Sequence, residues 1–589
     1  MRVAPVRKDT PMRTCHRLLL LVVLAGCWGI HRTVADPFPL PLAEERRGGL
    51  LYFPDVARTG LERSHKKHDH GLVFESRGVS SPILMDAFDR YKHILSTPAL
   101  HLAYEWEVSA PEALPDEGNQ VKRVLCDVQN ADQTLDLYTD ETYSIRISSP
   151  DVTIEAQTVF GALRALETLA QSTHVLKVDD DRADGHRRSS RTLLVLNETA
   201  LYDGPRFPHR GVLIDTSEHF LPLDVIKNHI DAMSMVKLNV LHWRMTGDAS
   251  WPYVVGSLPE LSAAGAFSPG RQYHAGSIDE LVQYAKHRGV RVVVELNSPA
   301  HIGSIGKSHP ECVVACEDDH HSGPISNPAT NATYDMLWKV ARDLGRVFGD
   351  RAMHFGGDTI DRIACWGSSP AVMGTFHDIH AALFSHTRRM MAFAAAMGKV
   401  PIVYDGLWEA VHTHRERGGQ GVLPPETVVH VLGPDGSRWK TTIDSATKSG
   451  KRVVLSSPWH VDDAVAHESW SEWWTTEPTR ALGKRTSLEQ EELVLGGEVV
   501  VRSRLIDATN TLSRTWPLAA TAAERLWSQD TALVDVADAG QRLFRLRCRM
   551  VARGIPAAPI SRGWDACPFI EEEDEKTRFS SVSLSDKIR

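Results

Sequence analysis

The chain has 589 residues, 42% of them hydrophobic, and a formal charge of -9 at neutral pH. That length and apolar content can bury large cores and divides into about two to four domains, which excludes a disordered chain. Charges of both signs are interspersed along most of the sequence, which excludes a nucleic-acid partner.

The first residues carry an address. Arg2, Arg7, Lys8, Arg13 and Arg17 precede an apolar run from Leu18 to Ile30, and Thr33-Val34-Ala35 suits signal-peptidase cleavage. The run is shorter than the roughly 20 residues that cross a bilayer, so residues 1–35 read as a cleaved signal peptide and no membrane span remains after cleavage. A polar leader follows over 36–79, whose His65, His68 and His70 read as a solvated loop in preference to a metal site. Of eight cysteines, Cys15 and Cys27 lie in the signal region. The other six lack zinc-ribbon spacing, which favours disulfides in an oxidising compartment. Asn197-Glu198-Thr199 and Asn331-Ala332-Thr333 fit the glycosylation acceptor pattern.

Residues 80–205 read as a small α/β domain. Glu141 to Ile147 alternates like a strand, Val152-Thr153-Ile154 gives another, and Gln157 to Gln171 is an amphipathic helix with Phe160, Leu163, Leu166 and Leu169 on one side. The charged stretch Asp179 to Arg191 reads as an exposed loop. Beyond Pro205, eight short apolar runs alternate with helical stretches: 211–215, 238–242, 290–295, 352–356, 400–404, 428–432, 452–456 and 493–497. Runs rich in β-branched residues, each followed by a helical candidate such as Asp224–Lys237 or Ile278–His287, predict a parallel (β/α)8 TIM barrel over 206–565, ahead of an acidic tail at 566–589. The fold class is α/β, a barrel preceded by a smaller α+β domain. Gly306-Lys307-Ser308 is a false phosphate-loop match, and His377-x-x-His380 lacks the Glu of a zinc protease helix.

In such a barrel the chemistry sits at the C-terminal strand ends. These read Asp215-Thr-Ser-Glu218-His219, His242-Trp-Arg-Met-Thr-Gly247-Asp248, Glu295-Leu-Asn297-Ser-Pro-Ala-His301 and Gly356-Gly-Asp358-Thr359-Ile-Asp361. With Phe207-Pro-His-Arg-Gly211, Cys365-Trp366, Ser457-Pro-Trp459 and Glu524-Arg-Leu-Trp527, the segments resemble the β-N-acetylhexosaminidases of glycoside hydrolase family 20, over about Glu141 to Gly554. The resemblance implies substrate-assisted cleavage, in which the substrate's 2-acetamido oxygen attacks the anomeric carbon. An Asp orients the acetamido group and the adjacent Glu protonates the leaving oxygen. Here that pair is Asp358-Thr359, and a threonine hydroxyl is far too weak an acid for the role.

The sugar pocket implied by the resemblance is degenerate too. Its gripping Arg falls on Glu218 and an Asp falls on Gly247; aromatic and acidic positions fall on Tyr404, Leu432, His460, Arg502 and Arg504. Asp358, His301, Asp462, Asp248, Arg210, Trp366 and Trp459 survive. The pattern favours a family member that has lost hydrolysis and binds or scaffolds another molecule in the secretory pathway, outside the cell or in a lysosome- or vacuole-like compartment. Two other readings stand beside it: an active β-N-acetylhexosaminidase with a rebuilt site, and a barrel that binds carbohydrate without cleaving it. The partner is an unidentified protein or glycan, no cofactor or metal is implied, and the family analogy allows dimerisation. The resemblance further implies disulfides Cys548–Cys567 and Cys365 to either Cys312 or Cys316, leaving Cys126 and one of that pair as thiols. Exchange of charge between Glu218 and Arg504 predicts an ion pair, Glu218 with Arg504 or Arg502, that plugs the pocket.

Overall fold

The structure is a computed structural model, described over residues 43–53, 71–101, 119–180, 189–316, 323–433, 438–462, 470–483, 486–529, 533, 535–561 and 567. The signal segment, the His65–His70 tract and all of the acidic tail except Cys567 lie outside these residues.

Seven strands form the first sheet: β1 (Ala43–Tyr52), β2 (Val73–Gly78), β3 (Arg123–Val128), β4 (Tyr143–Ile147), β5 (Asp151–Ala156), β6 (His174–Asp180) and β7 (Ser189–Asp203). Their order is β1-β7-β4-β5-β3-β2, with β6 also paired to β7. Two sequence expectations change here. The polar leader contributes β1 and β2 to the sheet, and the charged stretch after Asp179 is partly a hairpin, with Asp179 opposite Ser190 and Asp180 opposite Ser189. Antiparallel ladders are held by backbone groups and tolerate polar side chains on a solvated face, so polarity alone does not make a loop.

Helices α1 (Pro82–Ile94) and α2 (Val159–Gln171) pack on this sheet through Leu84, Phe88, Phe160 and Leu166. Each starts at a hydroxyl cap: Ser81 accepts from the Ile83 N–H and Thr158 from the Gly161 N–H. Every residue of α2 is buried, because its second side faces the barrel. There Glu141 Oε1 accepts from Arg164 and Oε2 from Arg210 at 2.6 Å, while Asn239 Nδ2 donates to Oε2 at 3.0 Å. Arg210, read from the sequence as a surviving site residue, therefore belongs to this junction, at the opposite end of its strand from the site.

The barrel closes from β8 (His209–Asp215), β9 (Val240–Arg244), β10 (Arg291–Glu295), β11 (Ala352–His354), β12 (Val400–Tyr404), β13 (Val428–Val431), β14 (Arg452–Leu455) and β15 (Val494–Val501), paired in sequence order with β15 returning to β8. All eight expected strands are present. Helices such as α3 (Leu223–Met235), α4 (Ala275–Lys286), α5 (Asn331–Val347) and α6 (Leu518–Trp527) bury their apolar faces outside it. At the N-terminal end, Leu137 packs beneath Val240, Val293 and Ile402, and Arg452 donates to the Tyr138 hydroxyl at 3.0 Å. Sheet and barrel lie in one compact unit, Pro37–Arg589. Disulfides join Cys316 to Cys365 and Cys548 to Cys567, with Cα atoms 5.2 and 5.4 Å apart. Cys126 and Cys312 are buried thiols.

Candidate functional site

The C-terminal strand ends gather three carboxylates, Asp215 from β8, Glu295 from β10 and Asp358 after β11, with Glu498 deeper in the barrel within β15. The turn that delivers Asp358 runs through Gly356 and Gly357, at φ +71° and +92°. A Cβ on Gly356 would fall 1.9 Å from Asn297 Oδ1, and one on Gly357 2.5 Å from the Leu407 Cβ. Only glycine allows the backbone to pass there.

Each oxygen of Asp358 accepts a hydrogen bond. Asn297 Nδ2 donates to Oδ1 at 2.6 Å, and Arg244 Nη1 donates to Oδ2 at 3.1 Å. His301 Nε2 lies 3.4 Å from Oδ2. Burial opposes ionisation of Asp358, but His301, Arg244 and Arg502, with the Asn297 hydrogen bond, outweigh it and hold the carboxyl far below the usual range. Arg244 also faces Asp215 at 3.5 Å and Glu295 at 3.8 Å. One buried guanidinium thus lies within 4 Å of three acids.

Beneath these acids the barrel is filled by histidines. His242 directs Nδ1 to Glu498 at 2.9 Å and Nε2 to Glu295 at 3.1 Å, the latter an ionic contact off the hydrogen-bond direction. Burial disfavours the imidazolium, but the two glutamates prevail and push its pKa up to about 9. Tyr404 donates to Glu295 at 2.6 Å and His209 to Glu498 at 2.6 Å. Two sets, His242 with Glu295 and His354, and His242 with His430 and Glu498, bring donor atoms within 4.8 Å of one another, as a metal requires. Their lone pairs are committed, however. The Gly356 N–H donates to His354 Nδ1 at 2.9 Å, which places the His354 proton on Nε2, facing His430 Nδ1 at 3.3 Å; His430 Nε2 then donates to Ser456 Oγ at 2.7 Å. The cluster reads as a proton-sharing network.

Around the rim, Thr359 is exposed, with its Oγ1 2.9 Å from His301 Nε2, and His301 Nδ1 is 3.0 Å from Asp248 Oδ2. Trp459 is fully buried and would collide with any Cβ on Gly497, so it packs under the mouth. His460 is buried with Nε2 3.1 Å from the Leu432 carbonyl, and Leu432 packs with Leu213, Tyr404 and Val500. Asp462 accepts from the Arg502 N–H at 2.9 Å. Gly247 lies against Ser217, whose Oγ would be 2.5 Å from an added Cβ.

Glu218 and Arg504 depart from the expected plug. Both are exposed and Arg502 is half-buried, and no ion pair joins Glu218 to either arginine among the described residues. An exposed charge keeps its hydration and needs no partner; the buried demand belongs to Asp358, and Arg244 meets it. Glu295, Asn297 and His242 stand in the strand-end segments read from the sequence without a role assigned to them, and Arg244, His354 and His430 were given none either. Arg244 was visible there as a lone cation ending an apolar run.

Comparison with known proteins bears on this geometry. The family model "Glycosyl hydrolase family 20, catalytic domain" matches residues 207–530, and "beta-acetyl hexosaminidase like" matches 46–172. The human beta-hexosaminidase subunit beta is 32% identical over 540 residues, 90% of this chain and 89% of the relative. The bovine beta-hexosaminidase subunit alpha is 32% identical over 498 residues, 82% of this chain and 88% of the relative. Among solved structures, a Flavobacterium johnsoniae chitobiase superposes with a TM-score of 0.71 at 23% identity, over 88% of this chain and 73% of its own. A Streptomyces coelicolor β-N-acetylhexosaminidase gives 0.66 at 19%, over 90% of this chain and 98% of its own; both likenesses speak to the fold. With a catalytic-domain match across more than half of its residues and relatives of this identity along most of its length, the chain belongs to glycoside hydrolase family 20.

Proposed function

We propose that this family member has lost hydrolysis of N-acetylhexosaminides and serves in the secretory pathway as a binding or scaffolding protein, non-catalytic toward glycosides. The observation that carries the reading is Asp358: its two oxygens are already held by Asn297 and Arg244, and the residue beside it is a threonine. Asn297 and Arg244 take one acceptor site on each oxygen of Asp358, and the Thr359 hydroxyl is too weak an acid to protonate a leaving sugar at neutral pH. Exposure of Glu218 and Arg504 and the bare Gly247 support loss of the sugar contacts. The two disulfides and the exposed Asn331 sequon suit an oxidising, glycosylating compartment.

The test is hydrolysis of aryl N-acetyl-β-glucosaminides and galactosaminides between acidic and neutral pH. No turnover is expected, and Thr359→Glu alone is expected to leave the chain inactive, because Arg244 still holds Asp358. Turnover that disappears in Asp358→Asn would overturn the reading and favour an active β-N-acetylhexosaminidase, the alternative to which the relatives' names point. If the reading holds, a pull-down from the native compartment identifies the protein or glycan bound.

A further inference from the structure

The hydroxyl that replaces the expected acid is not idle. Thr359 Oγ1 lies 2.9 Å from His301 Nε2, and His301 Nδ1 lies 3.0 Å from Asp248 Oδ2. A hydroxyl, an imidazole and a carboxylate in series, each within hydrogen-bond reach of the next, is the arrangement that turns an alcohol into a nucleophile.

The orienting carboxylate is fixed at both oxygens. Gly303 N–H donates to Asp248 Oδ1 at 2.9 Å and Arg362 Nη1 to Oδ2 at 2.9 Å. Burial raises the Asp248 pKa, but hydrogen bonds from His301 and Arg362 outweigh that and hold it below the usual range, so the group is a carboxylate at neutral pH. It therefore accepts from His301 Nδ1–H, which leaves the Nε2 lone pair for the Thr359 hydroxyl. Asp358 Oδ2 lies farther from the same Nε2, at 3.4 Å, than the Thr359 hydroxyl does at 2.9 Å. Arg244 Nη1 donates to that oxygen at 3.1 Å.

The backbone gives an independent sign. Three non-glycine residues have positive φ among the described residues: Lys237 at 60°, His301 at 58° and Thr359 at 50°. Two of the three are the members of this hydroxyl–imidazole pair. For a β-branched residue the left-handed region is a true outlier that costs on the order of 1–3 kcal/mol and persists where surroundings impose it. The strained turn places Thr359 between β11 and the 3-10 helix Ile360–Ser368, with its side chain exposed at the barrel mouth.

We propose that Thr359, His301 and Asp248 form a nucleophilic relay that hydrolyses a small carboxylic ester at the barrel mouth, an activity separate from the glycosidic one. Thr359 Oγ bonds to the ester carbonyl carbon as its proton passes to His301 Nε2. The ester C–O bond breaks and the alcohol leaves with that proton. Water then attacks the acyl-threonine, giving its proton to Nε2, and the carbonyl–Oγ bond breaks to release the carboxylic acid and return the proton to Thr359. Thr359 and His301 are the catalytic residues. Asp248 positions the imidazole.

The probe is 4-nitrophenyl acetate with the full chain, followed by nitrophenolate release and by mass analysis of the acylated or fluorophosphonate-labelled protein. The expected result is saturable turnover that Thr359→Ser retains, that Thr359→Ala and His301→Gln reduce roughly 10²-fold or more, and an adduct on Thr359. Asp248→Asn, which presents the wrong tautomer, is expected to lower the rate and to shift its pH profile, a change a purely structural role would not produce. Equal rates in the wild-type, Thr359→Ala and His301→Gln proteins overturn the proposal. So does an adduct confined to other residues while Thr359→Ser behaves as Thr359→Ala.

Discussion

The two ends of the barrel hold buried charge differently. At the N-terminal end each ion has dedicated partners: Glu141 sits between Arg164 at 2.7 Å and Arg210 at 2.6 Å, and Lys237 donates to Asp203 at 2.7 Å while its ammonium lies over the Trp527 ring. At the C-terminal end a single Arg244 spreads over Asp358, Asp215 and Glu295 at 3.1 to 3.8 Å, and its buried Nε makes no hydrogen bond. A saturated junction tolerates no single change, because removal of any member strands a buried charge. A loosely shared cation is committed to no one acid, so the loss of one of them leaves it the others. That difference explains how a barrel keeps its frame while its mouth is rebuilt.

The sharpest test of the contrast is Glu141→Ala. It strands two guanidiniums that are almost wholly buried, and breaking a buried pair costs about 3–5 kcal/mol. Urea denaturation should show a loss at or above that range, and insoluble expression is the extreme outcome. A loss under about 1 kcal/mol would show that the junction is not saturated.

Arg244→Ala should cost less, at the lower end of that range, about 3 kcal/mol, because Asp358 keeps His301, Arg502 and Asn297 nearby. Adding Asp358→Asn removes the stranded charge, so the double variant should be more stable than the sum of the singles implies. Strict additivity would mean that Arg244 and Asp358 do not share their charge.

The same residue marks the limit of what the sequence revealed. The second barrel strand, expected at Leu238–His242, runs Val240–Arg244. Leu238 and Asn239 precede it because the Asn239 side chain is engaged with Glu141 and the Arg210 N–H. Moving the strand by two residues puts His242 inside the barrel and Arg244 at its mouth, so the error in strand limits and the missed site residue are one error. Apolar runs announce strands buried on both faces, which is why the barrel was legible. They do not announce which end residue turns inward. The disulfides were legible as a resemblance, with only the choice of Cys316 over Cys312 left to the structure. Thr359 was legible as a lost acid, but its contact with His301 depends on a left-handed turn that nothing in the sequence signals.

The interior between the two ends gives a pH signature. His242 has its pKa raised from 6.5 to about 9 by Glu498 and Glu295, against the effect of burial. A cation favoured by folding stabilises fully below its unfolded pKa, and that contribution is lost as pH rises through the folded value. Thermal melting should therefore fall between pH 6.5 and about 9, and His242→Gln should flatten that slope. A stability that rises through this window would place the charge elsewhere.

The smallest effect is expected at the mouth's rim, where the exchanged charges Glu218 and Arg504 stand. If they formed a buried pair, each alanine variant would leave an unmatched ion, and a double-mutant cycle would return a coupling of several kcal/mol. Both are exposed, and a hydrated charge removed from a surface leaves nothing behind that needs compensation. Glu218→Ala and Arg504→Ala should each change stability by less than about 0.5 kcal/mol, with coupling near zero and little response to salt. A coupling above about 1 kcal/mol would mean that the two side chains meet in solution, and that the rim holds charge as tightly as the junction does. Weak coupling there, beside the large cost at Glu141, would place the constraint on this barrel at its base and leave the rim free to vary.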